Sequence, residues 1–140
     1  MADSNVTKCL DKIYEDGVSD ETMVRLFHSF FKDRCLYDSD AKCWFVLNDF
    51  GIWKEESEEF YSGRQALCTV LKEAIVHDHV SRVLSPAAAA VMKTYSSIIK
   101  YIGSSKSNDT FCKHARTIFL SPKAFQRMDT VTNHVFAFNN

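Results

Sequence analysis

The sequence predicts an α+β fold, mostly α: a bundle of four or five helices with a small β-hairpin and a short C-terminal strand. Three observations predict it. Apolar residues recur at helical spacing through most of the chain. One aromatic, β-branched stretch is split by the turn residues Asn48-Asp49-Phe50-Gly51, and HVFAF at 134–138 alternates weakly, as a strand does. With 140 residues, 46% hydrophobic content, four Gly and two Pro, the composition fits one globular domain over 1–140 and excludes collagen, linker and low-complexity readings.

Taken in order, Ser19 is an N-cap followed by Asp20 and Glu21, and Met23, Leu26, Phe27, Phe30 and Phe31 keep helical spacing. A helix over about 20–35 is expected, with residues 1–19 set apart as an N-terminal extension. CWFVL (Cys43 to Leu47) and the run at 52–54 flank the turn, where Gly51 takes positive φ, so a β-hairpin is expected. Its rings Trp44, Phe45, Phe50 and Trp53 suit core anchoring, or an exposed interaction or base-stacking face. Glu55, Glu56, Glu58 and Glu59 form an acidic run that suits a solvated turn, with a hard cation as the alternative.

After Gly63, the residues Leu67, Val70, Leu71, Ala74 and Ile75 form an amphipathic stripe heading toward Leu84, which loses register near His77-Asp78-His79. A kink or a helix end is expected there. Ser85-Pro86 opens a further helix whose apolar stripe (Val91, Met92, Tyr95, Ile98, Ile99, Ile102) stops at Gly103. Its other face presents Lys93, Ser97, Lys100 and Ser104. The segment 104–109 is expected as a loop, followed by a helix with Phe111, Ala115, Ile118 and Phe119 inside and Lys113 and Arg116 one turn apart. Ser121-Pro122 then opens a short helix carrying Lys123 and Arg127.

Charge is divided along the chain. Residues 1–60 hold 7 basic and 14 acidic side chains, a balance of −7, whereas residues 61–140 hold 10 and 4, a balance of +6. A basic C-terminal part suits phosphate contacts, because those need several Lys and Arg on one surface. The plainer alternative is two solvated faces of opposite sign.

Several chemistries lack their residues. There is no phosphate-binding P-loop, no G-x-G-x-x-G and no H-E-x-x-H. The pairs His77-x-His79 and Cys112-x-His114 would point their side chains apart on a helix, so no zinc is expected. Five widely spaced cysteines without a C-x-x-C pair read as buried or half-buried thiols. A Cys–His enzyme remains a third reading, although nothing in the sequence links a particular pair. No apolar run approaches the roughly 18–20 residues that span a bilayer, and MADSNVTKCLDKIYEDG has no apolar signal core, so an intracellular chain with no membrane partner is expected.

The hairpin ending in Gly51-Ile52-Trp53-Lys54, the helices after it, the segment S-x-x-x-F-Q-R-M-D and the terminal V-F-A-F-N-N occur in this order. Together they resemble the domain that precedes the superfamily 3 helicase module in poxvirus-type and phage or plasmid primase–helicases. In that family a strand reading y-x-G-x-W follows a first helix, matched here by Phe50-Gly51-Ile52-Trp53. The family's closing l-x-a-f-x-N-G signature is matched by Phe136-Ala137-Phe138-Asn139-Asn140, which stops where its Gly would stand. The resemblance covers about 20–140 and implies a fragment of a longer viral protein.

It implies a non-catalytic linker or collar element that helps a ring assemble and guides DNA. No cofactor is expected in this piece, with ATP and Mg in the parent's helicase module, and the host cytoplasm is the expected location. The expected DNA contacts, single- or double-stranded and without sequence preference, are Lys93, Lys100, Lys106, Lys113, Arg116, Lys123 and Arg127. The other reading is a protein-interaction module of a replication protein that uses Trp44, Phe45, Phe50 and Trp53 without touching DNA.

Overall fold

The computed structural model describes residues 4–121. The expected helix after Ser121-Pro122, with Lys123 and Arg127, and the expected strand at 134–138 lie outside the described residues. Within them the chain is mostly helical with a small antiparallel sheet, in the order α1 (Ser4–Asp16), α2 (Asp20–Phe31), β1 (Cys35–Asp38), β2 (Cys43–Leu47), β3 (Trp53–Glu56), then α3 (Tyr61–Ala66), a π-helical turn (Leu67–Leu71), α4 (Lys72–Arg82), α5 (Ala88–Gly103) and α6 (Ser105–Ile118). The segment 61–82 is one continuous rod, so five rods surround the core.

α1 corrects the reading of residues 1–19 as an extension. It buries Val6, Leu10 and Ile13, only one apolar anchor per turn among charged neighbours, which is why its periodicity is faint in the sequence. Gly17, at φ +94°, ends it and lets the chain reverse into α2. The start of α2 is capped reciprocally: the Ser19 hydroxyl accepts from the Thr22 backbone N–H at 3.1 Å, and the Thr22 hydroxyl accepts from the Ser19 N–H at 3.0 Å. Ser19→Ala is expected to lower the unfolding free energy by about 1 kcal/mol in urea denaturation.

α2 stops earlier than the periodicity suggests because Cys35–Asp38 is taken into the sheet. The expected hairpin is present as β2 and β3, with Leu47 opposite Trp53, and β1 adds a third strand with Tyr37 opposite Trp44. In the hairpin turn Asn48 Oδ1 accepts from the N–H groups of Phe50 (2.8 Å) and Ile52 (3.0 Å), while Gly51 sits at φ +77°. Leu120 makes a parallel bridge to Tyr37, closing the end of the described chain onto β1. Alternation divides the sheet's side chains between two faces. Cys35, Tyr37, Trp44 and Val46 pack with the helices, and Leu36, Cys43, Phe45, Leu47 and Trp53 form a second apolar cluster.

The rod at 61–82 does not break at His77-Asp78-His79. Leu67, Leu71 and Ile75 are fully buried at a constant spacing of four, which the wider i→i+5 turn over Leu67–Leu71 helps to keep on one line. At its head Phe60, a non-glycine at φ 54°, turns its ring parallel to Trp44 at a centroid distance of 3.7 Å. Gly63 lies against that ring, and a Cβ there would clash with Phe60 ring carbons. Because Phe60 is fully buried, it has no open space to yield into. Gly63→Ala is therefore expected to destabilise by about 1–3 kcal/mol in chemical denaturation, despite the better helix propensity of Ala.

Two expectations about the last helices change. α5 begins at Ala88, and Ser85 and Pro86 belong to the turn before it. The expected loop at 104–109 is the first turn and more of α6, because Ser104 accepts from the Ser107 N–H at 3.3 Å and caps it.

Candidate nucleic-acid interface

α5 and α6 form a helical hairpin whose corner is bolted from within. The buried Asn108 side chain donates to the carbonyls of Ile102 (2.9 Å), near the end of α5, and of Ser104 (2.7 Å), which also accepts the Asn108 backbone N–H at 2.9 Å. The hairpin is tied to the head of α2 through Asp20, which accepts from Tyr101 Oη at 2.5 Å and from Thr110 Oγ1 at 2.9 Å. Burial, and then the hydrogen bond to Asp20, push the Tyr101 phenol up from its ordinary range, so it stays a donor. Ile98, Ile102, Phe111 and Ala115 face the core. Charged side chains are thereby left on the outer surfaces of both helices.

On those surfaces Lys93 and Lys100 lie two turns apart on α5, and Lys106 and Lys113 two turns apart on α6. Seven residues return a side chain to nearly the same face, about 10.5 Å along the axis. All four are exposed, and none makes an ion pair among the described residues. α5 carries no carboxylate at all. α6 carries one, Asp109, and Arg64 holds it at 2.8 Å. The potential over this hairpin is therefore positive, and the only nearby acid on it is already paired.

Arg116 stands apart from that set. Its guanidinium donates to the Glu58 carbonyl at 3.1 Å, lies 3.6 Å from the Glu58 carboxylate and sits over the Tyr37 ring at 5.6 Å. It is half-buried and clamps α6 to the segment after β3. Its contact with Glu58 gives it a structural role and leaves it less free to meet a phosphate than the four lysines. The pairing spans 58 residues and leaves no local signal in the sequence.

The acidic run is likewise not a simple solvated turn. Glu56 accepts from the N–H and hydroxyl of Ser62, Glu58 accepts from Tyr37 Oη at 2.6 Å, and Glu59 pairs with Arg64 at 3.6 Å. Among the described residues no group of three or more His, Cys, Asp or Glu is placed to hold a metal ion.

Three of the four hairpin rings take the core-anchoring alternative. Trp44, Phe45 and Trp53 are core residues, at 0%, 2% and 0% exposure, because both faces of the sheet are apolar and covered. Of these four rings only Phe50, 88% exposed at the hairpin tip, is open to solvent. Among the thiols, burial pushes Cys35 up to about 12 and Cys43 and Cys112 up to about 11, the opposite direction from an activated nucleophile. Cys68 is the exposed one. Among the described residues no helix is long and apolar enough to cross a membrane. Comparison with protein-family models, with curated proteins and with solved structures finds no match to this chain.

Proposed function

We propose that this chain is a non-catalytic accessory domain of a viral replicative DNA primase–helicase, which engages DNA without sequence preference and assists ring assembly for a downstream ATP-driven helicase module. The observation that carries the DNA part is the α5–α6 hairpin: four exposed lysines in two-turn pairs, no carboxylate on α5, and the one acid of α6 held by Arg64. Lysines on helix surfaces meet phosphate as point charges and carry no base code, which is why the reading specifies no sequence. Host cytoplasm, self-association through the parent protein, and ATP with Mg in the parent's helicase module belong to the same proposal. They come from the resemblance to primase–helicases described above.

The test is a fluorescence-anisotropy titration of labelled single- and double-stranded DNA against the 140-residue chain at several salt concentrations, repeated with K93E/K100E/K106E/K113E. Salt-sensitive binding that the variant loses supports the proposal. Equal affinity of the variant at low salt overturns it. The alternative of a protein-interaction module now rests on Phe50, whose ring is the most exposed of the four hairpin aromatics.

A further inference from the structure

A second cationic surface lies in the half of the chain where acids outnumber bases two to one. On α1, Asn5, Lys8, Cys9 and Lys12 follow one another at i, i+3, i+4 and i+7, and so share a face. On α2, Arg25, His28, Ser29 and Lys32, its C-cap residue, repeat the same spacing. α1 and α2 pack together across the short link at Gly17, and between these stripes runs a groove of about 340 Å³, floored by Ile118 from α6. A neighbouring hollow of about 210 Å³ shares Lys8, Cys9 and Arg25 with it and adds Lys12 and Thr22. Among the described residues no carboxylate lines either hollow.

Two of the nearby acids are paired, while Asp33, beside Lys32, has no ion pair among the described residues. Glu21 reaches Arg25 at 3.4 Å and Asp16 reaches Lys12 at 3.3 Å, both as exposed pairs on the helix surface that hold only weakly in water. Lys8 and Lys32 have no ion pair among the described residues. Inside the groove, burial and then the charges of Lys32 and Arg25 lower the pKa of the His28 imidazole, with Asp33 opposing them.

We propose that the seam between α1 and α2 is a second anion site, which takes the phosphodiester backbone of a nucleic-acid strand, with Lys8, Arg25 and Lys32 as the phosphate contacts. The shape favours an extended ligand over a lone ion. The cations are strung along two adjoining hollows, with Arg25 and Lys32 about 10.5 Å apart along the axis, rather than gathered round one point. The site shares no residue with the α5–α6 lysines, so it stands or falls separately from the function proposed above.

The experiment records amide ¹H–¹⁵N spectra of the 140-residue chain at low salt with oligothymidylate, and in parallel with inorganic phosphate. Anisotropy titrations of K8E/K32E and of the milder K8Q/K32Q are run beside it. The expected result is oligonucleotide-dependent shifts at Lys8, Arg25, His28 and Lys32, with at least a ten-fold loss of affinity in K8E/K32E and a smaller loss in K8Q/K32Q. Circular dichroism of both variants should match the parent, since both lysines are exposed and have no ion pair among the described residues. Persistence of the seam shifts in K93E/K100E/K106E/K113E supports the separate site, even if the α5–α6 reading itself fails. The proposal is overturned if the seam amides do not move with the oligonucleotide, or if K8E/K32E binds as tightly as the parent. Equal shifts with inorganic phosphate at matched phosphate concentration would also overturn it, because the ligand would then be a small anion and not a strand.

Discussion

Phe60→Ala is expected to lower the unfolding free energy by about 3–5 kcal/mol, the largest effect of any single substitution considered for this protein. The ring is fully buried, lies parallel to Trp44 at 3.7 Å and meets Phe27 edge-on at 5.8 Å. Phe27 in turn touches the rings of Phe31, Phe111 and Phe119. Removing Phe60 therefore opens a cavity at the point where the sheet, α2 and the head of α3 meet, and rigid neighbours on three sides limit how far it can collapse. Urea or thermal denaturation followed by Trp fluorescence reads the loss directly, because Trp44 is the stacking partner. A coupling test sharpens it: Gly63→Ala, destabilising alone, should become neutral or mildly stabilising in the Phe60→Ala background, where the clash is gone and only helix propensity remains. Additive effects in the double variant would show that the ring does not hold Gly63 as described.

The second large effect concerns DNA. If Lys93, Lys100, Lys106 and Lys113 each neutralise one phosphate of a duplex, the logarithm of affinity should fall with the logarithm of salt at a slope near −3.6. That is on the order of 10²-fold between 50 and 200 mM. Each lysine reversed to glutamate should flatten the slope by about one and weaken binding by a similar factor for any sequence. Arg116→Gln should behave differently. Its guanidinium holds Glu58 and covers Tyr37, so its loss should show first in thermal stability and only weakly in the salt slope. A steep loss of DNA affinity in a folded Arg116→Gln protein would return that residue to the phosphate contacts.

Local signals account for much of what is legible in the sequence. Asn48 and Gly51 mark the hairpin because their turn conformations are properties of those residue types. Ser19 marks the head of α2 because an N-cap is satisfied within three residues. The stripe of α5 shows because its apolar face is wide and its charges are few. α1 was hidden, since three anchors in thirteen residues do not stand out from a polar background. β1 was hidden by the helical spacing running into it, and the first turn of α6 by its run of serines, which the capping role of Ser104 explains.

By itself the sequence determined the class of fold, the hairpin turn, the excess of positive charge toward the C-terminus and the lysines that carry it on α5 and α6. Tertiary structure alone decided which charges are free and which rings are exposed. Arg116 is neutralised by a residue 58 positions away, Asp109 by one 45 positions away, and Trp44 and Trp53 are buried on opposite faces of a sheet whose first strand the periodicity concealed. It also brought the stripes of α1 and α2 together into one cationic groove within a segment whose overall balance is acidic. The physical reason is the same throughout. Propensity and periodicity act over a turn or two, whereas ion pairing, burial and the shape of a groove depend on neighbours that only folding supplies.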